Sequence, residues 1–335
     1  MNNILYCIIR SERILYEALC SIRSLAMIYG KQFDLLTVTV VTDLPLYMFD
    51  SVSCFPNVRI DVISEETSHD WLFQCKANMF RVKILALMYY LDKYKSDVLF
   101  VDSDTVFVDR PEYIFDYMAH GQFVMNFKCM SLKEVVDRFY GIESDLIKNE
   151  DSRKRVIFYR KLYERRRIDS LFSSKTYEIP ETFVPYNSGL IGLKYSDRSL
   201  LNDVLDLCDT IYFSEKYVCS EEFAFSLVFR LAGRDIVQCN KGVYHYFYDK
   251  RTRLLISCFL DLYGPGETLM YLLSELRIEK KVFDVLSFKD IPYYMTNYVS
   301  ELPKCEEQSY LTGFNSFKFD LLNVRKLCKK LILLM

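Results

Sequence analysis

Hydrophobic positions in the first hundred residues switch between two periods. Leu5 to Ile9 is a short apolar run of strand type. From Ile14 to Tyr29 the apolar residues Leu15, Leu19, Ile22, Leu25 and Ala26 fall at helical spacing, and the pattern stops at Gly30. Leu35 to Val41 is rich in β-branched residues and closes on Thr42-Asp43-Leu44-Pro45, which predicts a strand followed by a turn. Val58 to Ile63 reads as another short strand, Lys76 to Asp92 as a helix, and Val98 to Val101 as a buried strand. Strands and helices taking turns predict an α/β fold, a mostly parallel central sheet with helices on both faces. In such sheets ligands sit beyond the carboxyl ends of the strands.

One of those ends is acidic. Asp102-Ser103-Asp104 follows the apolar run Val98-Leu99-Phe100-Val101 directly. Within a strand, two carboxylates one residue apart point to opposite faces. Where the strand breaks, both can turn toward one hard cation, and oxygen ligands suit Mg²⁺ or Mn²⁺. In a solvated turn the same residues would be unexceptional, so the triplet gains meaning from its surroundings.

Composition narrows the classes. With 335 residues, 51% of them hydrophobic, the chain can bury a sizeable core. A formal net charge of −2 argues against a general nucleic-acid binder. Eleven cysteines without a C-x-x-C pair read as reduced, mostly buried thiols. The first ten residues lack a basic leader and read as a strand, and no stretch approaches the length of a spanning helix. These features predict a cytoplasmic protein. Three histidines leave little scope for a multi-histidine zinc site.

Four segments, in order, resemble GT-A-fold, nucleotide-sugar-dependent glycosyltransferases, and family 8 in particular. They are the stretch Leu99 to Pro111 with its acidic triplet, Tyr186-Asn187-Ser188-Gly189-Leu190-Ile191-Gly192-Leu193, Ser220-Glu221-Glu222-Phe223-Ala224-Phe225, and Val243-Tyr244-His245-Tyr246. The resemblance covers roughly residues 3 to 251. It implies a GT-A (Rossmann-like) sheet domain, residues 1–253, and transfer of a hexose from a nucleoside-diphosphate sugar, UDP-linked, to a glycan or lipid-linked saccharide acceptor.

By that resemblance Asp102, Asp104 and His245 hold Mn²⁺ or Mg²⁺, which acts as a Lewis acid on the leaving diphosphate. Without it, His245 reads as a structural residue among Tyr244, Tyr246, Phe247 and Tyr248. Ile9 and Arg10, after the first strand, would lie against the base, and Ser103 against the donor. Arg81 and Lys83 resemble the family's basic helix but do not share a helix face, so one of them points into the site. Asn187, Ser188 and Gly189 would form a polar platform for donor and acceptor. Glu221 and Glu222 head a helix, either as caps favoured by the dipole or as catalytic carboxylates. The family often places Gly and Lys third and sixth after its histidine. Here Tyr248 and Arg251 stand there, with Lys250 one earlier, and both cations are carried over as phosphate contacts. The context favours retention at the anomeric carbon.

Two other classes share parts of this pattern. A sugar-phosphate nucleotidylyltransferase would need a glycine-rich N-terminal loop, and Arg10-Ser11-Glu12-Arg13 has no glycine. A non-catalytic scaffold on the same fold would not need Asp102, Asp104 and His245 together.

The remaining segments differ in character. Residues 131–175 read as a charged helical insertion, and Arg153 to Arg167 holds eight basic residues against one acidic. That run is a solvated face or a surface attracting an acidic acceptor. Residues 254–335 read as small helices and turns around Gly264-Pro265-Gly266. The tail, 317–335, sets five basic residues opposite an apolar side, which suits an anionic membrane surface or a helix docked on its own domain.

Overall fold

The computed structural model describes residues 2–73, 80–107, 109–139, 150–239 and 241–245. Its centre is a seven-stranded sheet built from β1 (Asn2–Ile8), β2 (Leu36–Thr42), β3 (Val58–Val62), β4 (Val98–Val101), β6 (Phe123–Met125), β9 (Leu190–Leu193) and β10 (Ile236–Gln238). The strand order is β10-β6-β9-β4-β1-β2-β3. All neighbours pair in parallel except β9, which lies antiparallel between β4 and β6. The expected architecture, a mostly parallel sheet flanked by helices, is the one observed.

Alternation along the strands sends side chains to two cores. Ile4, Tyr6 and Ile8 join Leu99 and Val101 beneath helix α1 (Glu12–Tyr29) and α4 (Glu112–Ala119). Leu5, Val98 and Phe100 face the other way, onto α3 (Arg81–Tyr94), α6 (Glu150–Arg165), α7 (Leu200–Glu215) and α8 (Ser220–Leu231). Such alternation follows from the two-residue period of a strand. Two shorter helices, α2 (Glu65–Phe73) and α5 (Leu132–Arg138), complete the set among the described residues.

Helix boundaries show where local chemistry refines the pattern. Helix α1 begins before Ile14 because the Ser11 hydroxyl accepts a hydrogen bond from the Ile14 amide. It ends at Gly30, whose φ of 52° suits a residue without Cβ. Helix α3 starts at Arg81, later than the expected Lys76, and residues 74–79 lie outside the described part. The charged stretch 131–175 is not wholly helical. After α5 and α6 it forms the hairpin β7 (Arg167–Asp169) with β8 (Thr176–Glu178), because Ile168 and Tyr177 pair and bury between exposed neighbours.

Two short strands stand apart from the main sheet. β5 (Thr105–Phe107) follows the acidic triplet and pairs antiparallel with β11 (Val243–His245), in a register that sets His245 opposite Thr105. The expected C-terminal helical region and basic tail, with Lys250 and Arg251, lie outside the described residues. No helix among the described residues is long and apolar enough to cross a membrane.

Candidate active site

Strand direction gathers the polar residues at one edge. The parallel strands β1, β4 and β6 all end there, and β9, running the other way, begins there. The edge therefore collects Ile9 after β1, Asp102 after β4, Asn126 after β6, and Asn187-Ser188-Gly189 before β9. The turns are stitched by main-chain bonds, with the Asp102 amide donating to Gly189 O and the Asn126 amide to Asn187 O.

At this edge Asp102, Asp104 and His245 converge, each offering an atom within 4.8 Å of the others. His245 Nε2 lies 3.0 Å from Asp104 Oδ1 and 3.9 Å from Asp102 Oδ2. The β5–β11 register delivers the histidine, and Gly189 admits it. A Cβ on Gly189 would lie 2.5 Å from His245 Cε1 and closer still to Nδ1. On its inner side the ring meets two amides. Asn187 Oδ1 stands 3.1 Å from Nδ1 and Asn126 Nδ2 stands 2.9 Å away. With Nδ1 held by these amides, Nε2 is the ring nitrogen that faces the carboxylates and the one available to a metal.

The donor set fits a hard divalent cation. It offers two carboxylates and one imidazole. Asp104 is only 7% exposed, and a buried carboxylate is costly without a compensating cation.

Lys83 and Arg81 part company, as their spacing on α3 requires. The Lys83 ammonium lies 3.0 Å from Asp102 Oδ1, donates to Ser188 Oγ at 3.0 Å and sits 3.7 Å from Glu221. Burial opposes its charge, but Asp102 first and Glu221 next more than offset this and hold the ammonium above its ordinary range. Arg81 instead binds Asp209 on α7 and the Trp71 carbonyl, away from the carboxylates. Arg10, at φ 54°, turns its amide and guanidinium to Asp43.

Glu221 and Glu222 are buried and bonded across the sheet edge. The Ser188 hydroxyl donates to Glu221 at 2.9 Å, and Asn187 Nδ2 donates to Glu222 at 2.5 Å. Burial pushes Glu221 up to about 8, with Lys83 pulling it down by less and Glu222 adding to the rise. Glu222 is raised too, by burial, against the opposing charges of Arg155 and Lys83.

A pH effect on stability follows. Unfolded, the Glu221 carboxyl releases its proton near 4.5, whereas folded it keeps the proton up to about 8. The native state binds more protons across that window, so this group's contribution to stability falls as pH rises through it. Glu221→Gln should flatten the decline of the urea midpoint between those two pH values, and an unchanged profile would contradict the buried, protonated acid.

Beside these groups opens a cleft of about 270 Å³. It is lined by Cys7 and Ile9, Ile14 and Glu17 of α1, Phe80, Val82 and Lys83, Phe100, and Asp102-Ser103-Asp104. Its lining combines apolar side chains with the carboxylates of Glu17, Asp102 and Asp104 and the Lys83 ammonium. A larger cleft of about 590 Å³ between α6, β7 and α7 contains none of these residues. Its Lys161 and Arg167 face Glu215 and Asp169, so much of the local basic charge is matched.

Sequence reasoning missed two contributors. Asn126 is a buried amide directly after an apolar strand, the same signal that marks Asp102. Arg155 shares a helix face with buried Tyr159 and Leu162, so its spacing set it apart from its solvated neighbours. Its charge acts on both Glu222 and Cys219.

No family model matches the chain, and no curated protein matches it significantly. Solved structures do. A bifunctional glycosyltransferase, WbbM, shares 10% identity over 71% of this chain and 38% of its own, with a TM-score of 0.42. The galactosyltransferase LgtC, solved with donor and acceptor sugar analogues, shares 9% over 70% of this chain and 73% of its own, at 0.41. Mouse xyloside xylosyltransferase 1 shares 12% over 71% and 84%, at 0.42. All three are glycosyltransferases, the class that the sequence motifs resemble. The chain spans little more than a third of WbbM, and functional roles below rest on this chain's own residues.

Proposed function

We propose that this chain is a hexosyltransferase that moves a sugar from a nucleoside-diphosphate donor to a glycan or lipid-linked saccharide acceptor. The observation that carries the reading is the meeting of Asp102, Asp104 and His245 beside a cleft of about 270 Å³ that both aspartates line. The resemblance of the motifs favours a UDP-sugar, Mn²⁺ or Mg²⁺, and retention.

The chain's groups divide the work. Ile9 and its apolar neighbours would wall the base, and Ser103, which lines the same cleft, would meet the donor. Asp102, Asp104 and His245 would hold the divalent cation, which when bound neutralises charge on the leaving diphosphate. Lys83 fixes Asp102 and Ser188 together and keeps a positive charge beside the cleft. Asn187 orients both His245 and Glu222, so one amide links the metal side of the site to the acidic side. Glu222 is the carboxylate we assign to the anomeric centre or the acceptor hydroxyl, and Glu221 accepts from the Ser188 hydroxyl and so supports it. Lys250 and Arg251 are proposed phosphate contacts. A lipid-linked acceptor would suit the basic tail 317–335, which would lie on an anionic membrane surface.

Asp104→Ala tests the reading. It should abolish Mn²⁺-dependent binding of a nucleoside-diphosphate sugar while leaving thermal unfolding nearly unchanged. Calorimetric titration with and without EDTA measures this, and unchanged donor affinity would sink the cation site.

A further inference from the structure

Beneath the acidic turn runs a line of buried hydroxyls joining three elements. Tyr6 OH on β1 lies 2.8 Å from Ser21 Oγ on α1. Ser21 Oγ lies 2.8 Å from Thr105 Oγ1 at the start of β5. Thr105 Oγ1 donates to the main-chain carbonyl of Asp102 at 2.8 Å. Each hydroxyl has one proton, so the last bond fixes the others. Thr105 gives its proton to Asp102, Ser21 gives its own to Thr105, and Tyr6 gives its own to Ser21. All three side chains are fully buried.

The position of Thr105 gives this line a consequence. Asp102 and Asp104 sit after β4 has ended and before β5 begins, beyond the ladder of the main sheet. β5 is held on one edge by β11 and on the other by serines of α1. Thr105 therefore touches each of the three ligand-bearing positions. Its hydroxyl holds the Asp102 carbonyl, its main chain follows Asp104, and its ladder partner is His245.

We propose that Thr105 is a positioning residue for a divalent cation, setting the spacing of Asp102, Asp104 and His245, with Ser21 and Tyr6 anchoring it to α1 and β1. The proposal rests on the cation reading above and adds what keeps its ligands in register. A turn free to shift by a fraction of an ångström would still fold, but its two carboxylates would not meet one ion at short distance. Networks of this kind act as a unit, because each buried hydroxyl left without its partner is costly.

A purely structural role has a built-in control. The Ser24 hydroxyl, also on α1, accepts from the Phe107 amide at 2.9 Å and donates to the Ser21 carbonyl at 2.7 Å. It supports the same strand from the same helix without reaching Asp102.

The experiment titrates Mn²⁺ alone into the full-length chain and follows free Mn²⁺ by electron paramagnetic resonance. Thr105→Val keeps the shape and removes the donor, and should weaken Mn²⁺ binding at least about tenfold, as loss of a group that orients metal ligands does. Thr105→Ser should restore affinity to near the wild-type value. Ser24→Ala should lower thermal stability and leave Mn²⁺ affinity unchanged. Ser21→Ala keeps the Thr105–Asp102 bond and removes its anchor, so it serves should Thr105→Val not fold, and it should give a smaller loss. Wild-type-like affinity in a folded Thr105→Val, or equal losses in Ser24→Ala and the Thr105 or Ser21 variant, would overturn the proposal while leaving the cation site standing. A wild-type chain that binds no Mn²⁺ would overturn both.

Discussion

Glu222→Gln is expected to cut turnover by at least about 10²-fold while donor binding hardly changes. The substitution keeps size and keeps an oxygen for Asn187 Nδ2, which donates to Glu222 at 2.5 Å. It removes the charge and the basicity, which a nucleophile or general base requires. Burial raises this carboxyl, so the acid limb of the pH–rate profile should lie above the ordinary carboxylate range and disappear in the variant. The sign follows from ionisation. Activity carried by the carboxylate is present above its folded pKa and is lost as pH falls through it. A stabilising role alone predicts the opposite pair of results, lower stability with near-normal turnover. Initial rates and calorimetric donor affinity on the same preparations separate the two.

The second large effect is expected from Gly189→Ala. No turn demands this glycine; space does. A methyl here would meet the His245 ring on one side and Asn187 Oδ1 at 2.9 Å on the other. The ring is 3% exposed, and Asn126 and Asn187 hold it from within, so it can move only by leaving Asp104. Mn²⁺ affinity should fall by at least about tenfold, and overpacking should cost about 1–3 kcal/mol of stability. Gly192→Ala is the matched comparison on the same strand. Its Cβ would meet Met118 Sδ at 2.8 Å and Val124 Cβ at 2.9 Å, deep in the core. It should cost stability by a similar mechanism and leave Mn²⁺ affinity alone. Wild-type affinity in Gly189→Ala would contradict the placement of the His245 ring.

The acidic triplet is legible in the sequence because three further segments that resemble the same enzymes follow it in order; alone it would pass for a solvated turn. The strands and helices before it are legible for another reason, since each buries a face whose period differs. What sequence does not carry is direction and partner. Leu190-Ile191-Gly192-Leu193 reads as a buried strand either way round, yet running antiparallel is what brings Asn187 and Ser188 to the same edge as Asp102. His245 reaches Asp104 only through the pairing of β5 with β11, a contact between segments far apart in the chain. Arg155 stands in a run of bases that masks its place on the buried face of α6. Arg81 and Lys83 show the limit from the other side. Their spacing predicts that one enters the site, but Asp209 on α7, which claims Arg81, decides which.

The central claim is that the cleft beside Asp102, Asp104 and His245 takes a nucleoside-diphosphate sugar and transfers the sugar with a divalent cation. Its most direct measurement incubates the full-length chain with UDP- and GDP-hexoses, with Mn²⁺ or with EDTA, and follows the anomeric proton and the released nucleotide by proton NMR. The prediction is that at least one donor loses its sugar to water in the presence of Mn²⁺, giving free hexose and nucleoside diphosphate in step, with no release in EDTA and none from Asp104→Ala. Release that proceeds equally in EDTA, or in Asp104→Ala, would contradict it.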